Sequence, residues 1–154
     1  TRKVLAAILP YCRRHRIAID VVLGLGYDKV QTLNGFKGMK VYRDIRSMSD
    51  FMLRADVMFT SAGRTVYEAA CIGTPTIVLA QNDRELTHFY ASLKHGFLNI
   101  GLGTRVSERT IQDAFQQLAE SYARRQKVSR LMLKEDIRHG RDRVITLLQK
   151  VLEK

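Results

Sequence analysis

Residues 60–65 (TSAGRT) have the residue types that best suit ligand chemistry. They follow a β-branched apolar run and precede a run of helical periodicity, so they predict a strand-to-helix turn. The free N–H groups and the dipole of a helix N-terminus favour an anion, and the dipole contributes about 0.3–1 kcal/mol. Ser61 and Thr65 add hydroxyl donors, Arg64 adds a charged fork, and Gly63 can take a positive φ. A diphosphate is therefore the expected ligand of this turn.

The start of the following helix also matches a simple cap. The pattern Thr65-x-x-Glu68 is a capping box, in which the two side chains satisfy backbone groups of the first turn. Glu68 can instead face the ligand and accept two vicinal hydroxyls, as an acidic residue does for a ribose in dinucleotide folds. The two roles compete for one carboxylate, and both stay open on the sequence alone.

Residues 81–85 (QNDRE) form a second polar turn after the next apolar run. The pattern Asn82-x-x-Glu85 is another capping box. It also places an amide and a carboxylate beside the first helix N-terminus, where both can bind sugar hydroxyls. A polar helix start explains the pattern equally well.

Other chemistry is not indicated by the sequence. The four histidines show no metal spacing, and His88 and His95 are expected at the surface or the edge of the core. The chain has no P-loop and no Gly-x-Ser-x-Gly elbow, and no pair of carboxylates stands out as a hydrolytic acid and base. Gly24-Leu25-Gly26 lacks the third glycine of a dinucleotide fingerprint, because Lys29 stands there, so it predicts a turn. We expect neither a metal nor a cofactor.

Strands and helices alternate along the chain, which predicts βαβ units and an α/β fold with a parallel sheet. The predicted strands are 17–23, 40–42, 56–60, 76–80 and 97–100, and the predicted helices are 2–15, Ser47 or Ser49 to Arg54, 65–72 and 84–95. Ligands of such sheets bind beyond the carboxyl ends of the strands. The turns described above are therefore where a ligand is expected.

This prediction includes four further details. Pro10 should kink or split the first helix. Gly73, with Pro75 just beyond it, should stop the helix 65–72. From Ser107 the chain is predicted to be helical almost to its end, with breaks near Tyr122 and Gly140. In the helix 84–95 the side chains expected to point inward are Leu86, Phe89, Tyr90 and Leu93.

The chain is basic, with 26 Lys and Arg against 15 Asp and Glu, a net charge of +11. Such a charge suits nucleic acid, an anionic membrane face or phosphorylated ligands, and equally a set of solvated helix faces or an acidic partner domain. The basic residues are not interleaved with aromatic ones, so we expect no nucleic-acid partner. Two cysteines, Cys12 and Cys71, cannot form a disulfide framework, which favours a cytoplasmic protein.

A family resemblance is carried by residues 55–77 (ADVMFTSAGRTVYEAACIGTPTI). Their pattern resembles the signature of GT-B nucleotide-sugar enzymes: A-D, a strand, S-x-G/S, x-T-x-x-E and then G-x-P. The segment is similar to MurG-type N-acetylglucosaminyl transferases, and more closely to the PseG and SpsG group of UDP-sugar hydrolases and spore-coat polysaccharide proteins. Residues 81–87 and Lys94-His95-Gly96 are similar to the next segment of that group, and the resemblance extends over about residues 1–120.

The resemblance implies a Rossmann-like three-layer α/β/α domain with C-terminal helices, one half of a GT-B fold, that binds a UDP-sugar. The residues that it implies for this ligand are Ile45 for uracil, Ser61, Ala62, Gly63, Arg64 and Thr65 for the diphosphate, Glu68 for the ribose, and Asn82 and Glu85 near the sugar. Two positions depart from the MurG pattern, since Arg64 replaces an apolar residue and Glu85-Leu86 replaces a Gln pair.

The resemblance also implies a partner domain. Residues 1–154 form a single C-terminal domain in this view, and a missing N-terminal domain supplies the acceptor site and the catalytic base. The whole enzyme would cleave at the anomeric carbon with UDP as leaving group, in cell-surface or spore-coat polysaccharide biosynthesis, and this chain alone would be inactive. The basic face around Arg124 and Arg125 would meet the partner domain or an anionic membrane surface. A GT-B epimerase, or a basic module that binds nucleic acid, is the alternative.

Overall fold

The computed structural model describes residues 1–24, 26–27 and 30–153. Its helices and strands are α1 Arg2–His15, β1 Asp20–Leu23, β2 Lys40–Arg43, α2 Met48–Arg54, β3 Met58–Thr60, α3 Thr65–Ile72, β4 Thr76–Ala80, β5 Phe97–Leu102, α4 Glu108–Ala119, α5 Tyr122–Lys134 and α6 Gly140–Leu152. Short 3₁₀ turns cover Val30–Leu33, Asp83–Thr87, Leu93–His95 and Ile137–His139. The predicted α/β fold is confirmed, as are the breaks in the C-terminal helices. Leu25 and Lys29, named in the glycine-turn prediction, lie outside the described residues.

All strand pairs are parallel, as predicted, and hydrogen bonds divide the strands into two groups. The first group, the β1–β2 ladder, pairs Asp20 with Lys40. The second, the β3–β4–β5 ladder, has β4 in the middle and pairs Met58 with Thr76. Each ladder brings the carboxyl ends of its strands to one edge, so the turns after β3 and β4 are neighbours.

Helices cover both faces of the sheet, which makes the three layers of a Rossmann-like fold. The central strand β4 is buried on both faces, as strands of parallel sheets usually are. Ile77 packs in a core cluster with residues of α1 and α4, whereas Val78 packs in a cluster with residues of α2 and α3. The alternation of side chains along β4 thus fixes which helices lie on each face.

The first helix is continuous from Arg2 to His15, so Pro10 does not split it, and a kink at Pro10 stays a prediction. A proline inside a helix costs about 3 kcal/mol. Burial of side chains on both sides of it, such as Ile8 and Cys12, offsets this cost. The helix spans both ladders, because Leu5 packs with Val21 of β1 while Ile8 packs in the cluster of β4.

The helix predicted at 84–95 is not formed, and that prediction is wrong. The segment contains two 3₁₀ turns with a loop between them, and the side chains of Leu86, Phe89 and Leu93 are exposed rather than inward. The physical reason is tertiary hydrogen bonding: Glu85 and His88 both bond to the backbone of Ala62, 23 and 26 residues away. These bonds hold the segment in a tighter conformation than an α-helix.

Helix α5 packs closely on two glycines that have positive φ. Gly73 ends α3, as predicted, with a φ of 81°, and a Cβ there would lie 2.8 Å from Ser129 Oγ. Gly96 has a φ of 89°, and its Cβ would lie less than 3.0 Å from the carbonyl oxygen of Val128. The second contact is with backbone, which cannot move aside as a flexible side chain can.

Tyr90 carries a buried hydroxyl that has no hydrogen-bond partner among the described residues. Its ring stacks between Tyr67 of α3 and His95, with centroids 4.7 Å away on each side. Burial, reinforced by the negative charge of Glu135, raises the pKa of Tyr90 to about 12. The folded state therefore favours the neutral phenol, at the expense of an unsatisfied donor.

We expect Tyr90→Phe to stabilise the protein at neutral pH by about 1 kcal/mol, because the ring contacts remain and the unpaired hydroxyl is removed. Below pH 10 the phenol is neutral in both states. As the pH rises from 10 through 12 the unfolded state ionises first, so the wild type loses stability that the variant keeps. Urea unfolding of both proteins at pH 7 and pH 11 measures this. A variant less stable than wild type at pH 7 would contradict the assignment.

Candidate functional site

The loop between β3 and α3, residues Ser61 to Arg64, is fixed to the turn that follows β4. The Ala62 N–H donates to Glu85 Oε2 at 3.1 Å, and the Gln81 N–H donates to the same oxygen at 2.8 Å. His88 Nδ1 lies 2.6 Å from the carbonyl oxygen of Ala62. Ala62 itself is buried at 1% exposure. One carboxylate and one imidazole thus hold the two turns together at the carboxyl edge of the sheet.

Three backbone N–H groups at the end of this loop and the start of α3 remain open. Within the described part of the chain, the amides of Gly63, Arg64 and Thr65 have no acceptor, as is usual before and in the first turn of a helix. The Ala62 amide, in contrast, is occupied by the carboxylate of Glu85. An anion placed at this helix N-terminus would therefore meet three free amides.

Gly63 does not use the positive φ that a glycine can take. The absence of a side chain at Gly63 instead leaves room at the surface of the loop. A Cβ there would lie 3.4 Å from Ser61 Oγ and 3.8 Å from Glu85 Oε1. The glycine therefore keeps the surface of the loop open between two oxygen-bearing side chains.

The capping box predicted at Thr65 and Glu68 is not formed. Arg64 occupies the N-cap position, Thr65 is the first helical residue, and no side chain caps the helix. Glu68 is exposed and makes no hydrogen bond or ion pair with any described residue. Of the two roles considered for this carboxylate, the capping role is therefore excluded.

The second capping pattern is half confirmed. Asn82 Oδ1 accepts a hydrogen bond from the Glu85 N–H at 3.0 Å, so Asn82 is the N-cap of the 3₁₀ turn. Glu85 does not return this bond to Asn82, because its Oε2 accepts from Gln81 and Ala62 instead. Asn82 therefore caps the turn, as the sequence pattern predicts. Glu85 joins the two turns, which the pattern does not predict.

Ile45 is another implied ligand-binding residue that these hydrogen bonds do not reach. It lies half-buried between β2 and α2, at the carboxyl end of the other ladder. The structure brings together the turns after β3 and β4, and among the described residues no hydrogen bond joins Ile45 to them.

His88 is a residue of the site that sequence reasoning missed. The carbonyl oxygen of Ala62 can only accept, so Nδ1 of His88 must carry the hydrogen of this bond. In a neutral ring, Nε2 is then left as an acceptor. The sequence pattern does not predict this contact of His88. The contact requires a turn at a place where the periodicity predicts a helix.

Two further properties concern the whole described chain. Within residues 1–24, 26–27 and 30–153, no three His, Cys, Asp or Glu side chains lie close enough to hold a metal ion. In the same residues, no helix combines the length and the apolar character that crossing a membrane requires.

Comparison with curated proteins gives distant matches over about half of the chain. No family model matches it. It is 34% identical over 90 residues to an uncharacterized protein of Methanocaldococcus jannaschii, a match that covers 54% of this chain and 18% of that protein. It is 30% identical over 84 residues to the spore coat polysaccharide biosynthesis protein SpsG of Bacillus subtilis, covering 54% of this chain and 25% of SpsG. The chain is distantly similar to SpsG. These matches span a quarter or less of the length of either relative.

Proposed function

We propose that this chain is the nucleotide-sugar-binding half of a glycosyltransferase or UDP-sugar hydrolase that acts in polysaccharide biosynthesis. The observation that carries the proposal is the set of open amides of Gly63, Arg64 and Thr65, at the N-terminus of α3 and the carboxyl edge of a parallel sheet. The distant similarity to SpsG supports the class of pathway.

In this proposal the diphosphate lies against the loop between β3 and α3. The three amides donate to its oxygens, the hydroxyls of Ser61 and Thr65 add donors, and the exposed guanidinium of Arg64 adds a positive charge. When the bond to the anomeric carbon breaks, negative charge grows on the departing UDP. Donors that are already held in place stabilise this charge without reorganisation.

The turn after β4 keeps that loop in shape. The carboxylate of Glu85 and the imidazole of His88 bond the backbone of Ala62, so the loop is pre-organised before a ligand arrives. Asn82 caps the same turn, next to where the sugar would lie. The ribose hydroxyls are assigned to the free carboxylate of Glu68, and the uracil to the backbone at Ile45.

The site lies at the carboxyl edge of the sheet, which suits one half of a cleft. One shallow groove borders the turn after β4 and is lined by Leu86, Leu102 and Arg105, and another lies around Gln116 and Arg124. We therefore assign the catalytic base and the acceptor site to a further domain that closes over the loop. This chain alone would bind the nucleotide and would not turn it over.

Titration calorimetry of the chain with UDP tests the proposal, with duplex DNA as the rival ligand because of the +11 charge. We expect saturable UDP binding with a Kd on the order of 0.1–1 mM. Binding should change little between 50 and 200 mM salt in comparison with a duplex, whose affinity falls steeply over that range. Tight, salt-sensitive duplex binding without any response to UDP would refute the proposal.

A further inference from the structure

The carboxylate of Glu85 lies beside the open amides at the N-terminus of α3. Its Oε2 atom accepts hydrogen bonds from the Ala62 N–H at 3.1 Å and from the Gln81 N–H at 2.8 Å. A side chain that only accepts, and accepts from two backbone donors, acts as a carboxylate anion does. An anion that belongs to the protein itself therefore occupies the amide that directly precedes the three open ones.

The negative charge of Glu85 has no cation beside it. Among the residues that the structure describes, Glu85 takes part in no ion pair. The two hydrogen bonds to its carboxylate both end on Oε2, and no described N–H or O–H group donates to Oε1. A Cβ on Gly63 would lie 3.8 Å from that Oε1 atom. A carboxylate oxygen without a partner thus borders the glycine whose amide is open.

A ligand on the open amides would bring its own charge close to this carboxylate. Consecutive Cα atoms are about 3.8 Å apart, so an anion on the Gly63 amide would lie roughly 4–7 Å from the carboxylate on the Ala62 amide. At such a distance, even with the screening of water, each further unit of negative charge on the ligand lowers its affinity by about 3-fold. The charge of the ligand therefore affects how tightly it binds beside Glu85.

The phosphate nearest to Glu85 is the one whose charge depends on the sugar. The proposed function assigns the uracil to Ile45 and the sugar to the neighbourhood of Asn82, so the turn after β4 meets the outer, or β, phosphate. Esterified to a sugar, this phosphate carries one negative charge. In free UDP it is a terminal phosphate, whose second ionisation near pH 6 brings its charge to about −2 in mildly alkaline solution. The two ligands thus differ in charge at the place where Glu85 lies.

We propose, on the basis of the proposed function, that Glu85 makes the site selective for a nucleoside diphosphate esterified at its β-phosphate over the free nucleoside diphosphate. The hydrogen bonds of Oε2 hold the loop, and the charge of the same carboxylate repels a terminal phosphate. When the bond between the anomeric carbon and the β-phosphate oxygen breaks, both electrons stay on that oxygen, which gains negative charge beside Glu85. The carboxylate opposes part of the stabilisation that the open amides give to this charge, and it favours the release of UDP.

Titration calorimetry of the 154-residue chain at pH 8 tests the proposal with two probes, UDP and its β-methyl ester. The probes differ by one negative charge on the β-phosphate, and neither carries a sugar. Glu85→Gln removes the charge of the side chain and keeps an oxygen that can accept from Ala62 and Gln81. We expect this variant to bind UDP about 10-fold and the methyl ester about 3-fold more tightly than the wild type does. The Kd for UDP divided by the Kd for the ester should therefore fall by about 3-fold.

Two further variants separate the charge of Glu85 from its hydrogen bonds. Asp83→Asn makes the same change of net charge in the same turn, at a side chain that is 77% exposed, and should leave the ratio of the two Kd values unchanged. Glu85→Asp keeps the charge on a shorter side chain. Both probes should bind this variant more weakly because the loop is held less well, whereas the ratio should stay that of the wild type.

The outcomes distinguish this selectivity from the proposed function itself. A ratio that does not fall in Glu85→Gln, or that falls equally in Glu85→Asp or Asp83→Asn, would overturn the selectivity while UDP binding still stands. A wild type that binds neither UDP nor the ester would refute the proposed function, and the selectivity with it.

Discussion

Replacing Gly96 by alanine is expected to lower the free energy of unfolding by about 2–6 kcal/mol. The added methyl group would overlap the carbonyl oxygen of Val128 and would lie 3.0 Å from Met132 Cγ, both in α5. The positive φ of 89° adds the ordinary strain of a left-handed conformation for a residue with a side chain. Since the overlap is with backbone, relief requires α5 to move. Equilibrium unfolding in urea measures the loss.

Gly101→Ala is the matched control for this variant. Gly101 has a φ of 93°, and nothing lies within 4 Å of the position of its Cβ. Gly101→Ala should therefore lower the free energy of unfolding only through the backbone strain, by about 1–3 kcal/mol. The difference between the two variants isolates the contact with α5. Equal destabilisation of both variants would show that α5 does not press on Gly96.

Replacing Glu68 by alanine is expected to weaken UDP binding by about 10–100-fold, or about 1.4–2.8 kcal/mol. In the proposed function this carboxylate accepts hydrogen bonds from the two ribose hydroxyls, and it has no partner in the protein that would compete. Glu68 is exposed, so its removal leaves the fold intact. The measurement is the Kd for UDP by titration calorimetry.

Two controls make the Glu68 result specific. Glu108→Ala removes the same charge from the first turn of another helix, α4, and should leave the Kd unchanged. UDP that lacks the 2′-hydroxyl should bind the wild type more weakly and should lose less affinity in Glu68→Ala than UDP does. If Glu108→Ala weakens UDP binding as much as Glu68→Ala, the loss of affinity comes from the change in net charge. The assignment of Glu68 to the ribose would then fail.

The sequence predicts the elements whose pattern is local. Helix α3 and strand β4 have the predicted bounds, because an apolar run with a clear period and a glycine stop is sufficient to specify them. The segment 84–95 has an equally good helical period, but its conformation is decided by bonds to Ala62, far away in the sequence. The periodicity of the sequence does not predict which strands pair, so it does not predict that the strands form two ladders.

The candidate site divides in the same way. The position of the loop follows from a strand that runs into a helix, and the sequence predicts it. Which amides stay free does not follow, because the Ala62 amide is taken by a carboxylate 23 residues later. The start of α3 at Thr65 rather than one residue later decides whether Glu68 is used in a cap, and a shift of one residue is beyond sequence patterns.

The packing of α5 on Gly73 and Gly96 sets an order of events during synthesis of the protein. The loop between β3 and α3 and the helix α3 leave the ribosome early, but the helix that packs against the end of α3 is complete only at Lys134. At ordinary elongation rates the residues between Gly73 and Lys134 take about 3–12 s to be made. For that interval the nascent chain carries α3 without the helix that packs on its end. The packing of α5 against Gly73 is therefore formed later than the hydrogen bonds of Glu85 and His88 to the loop can be.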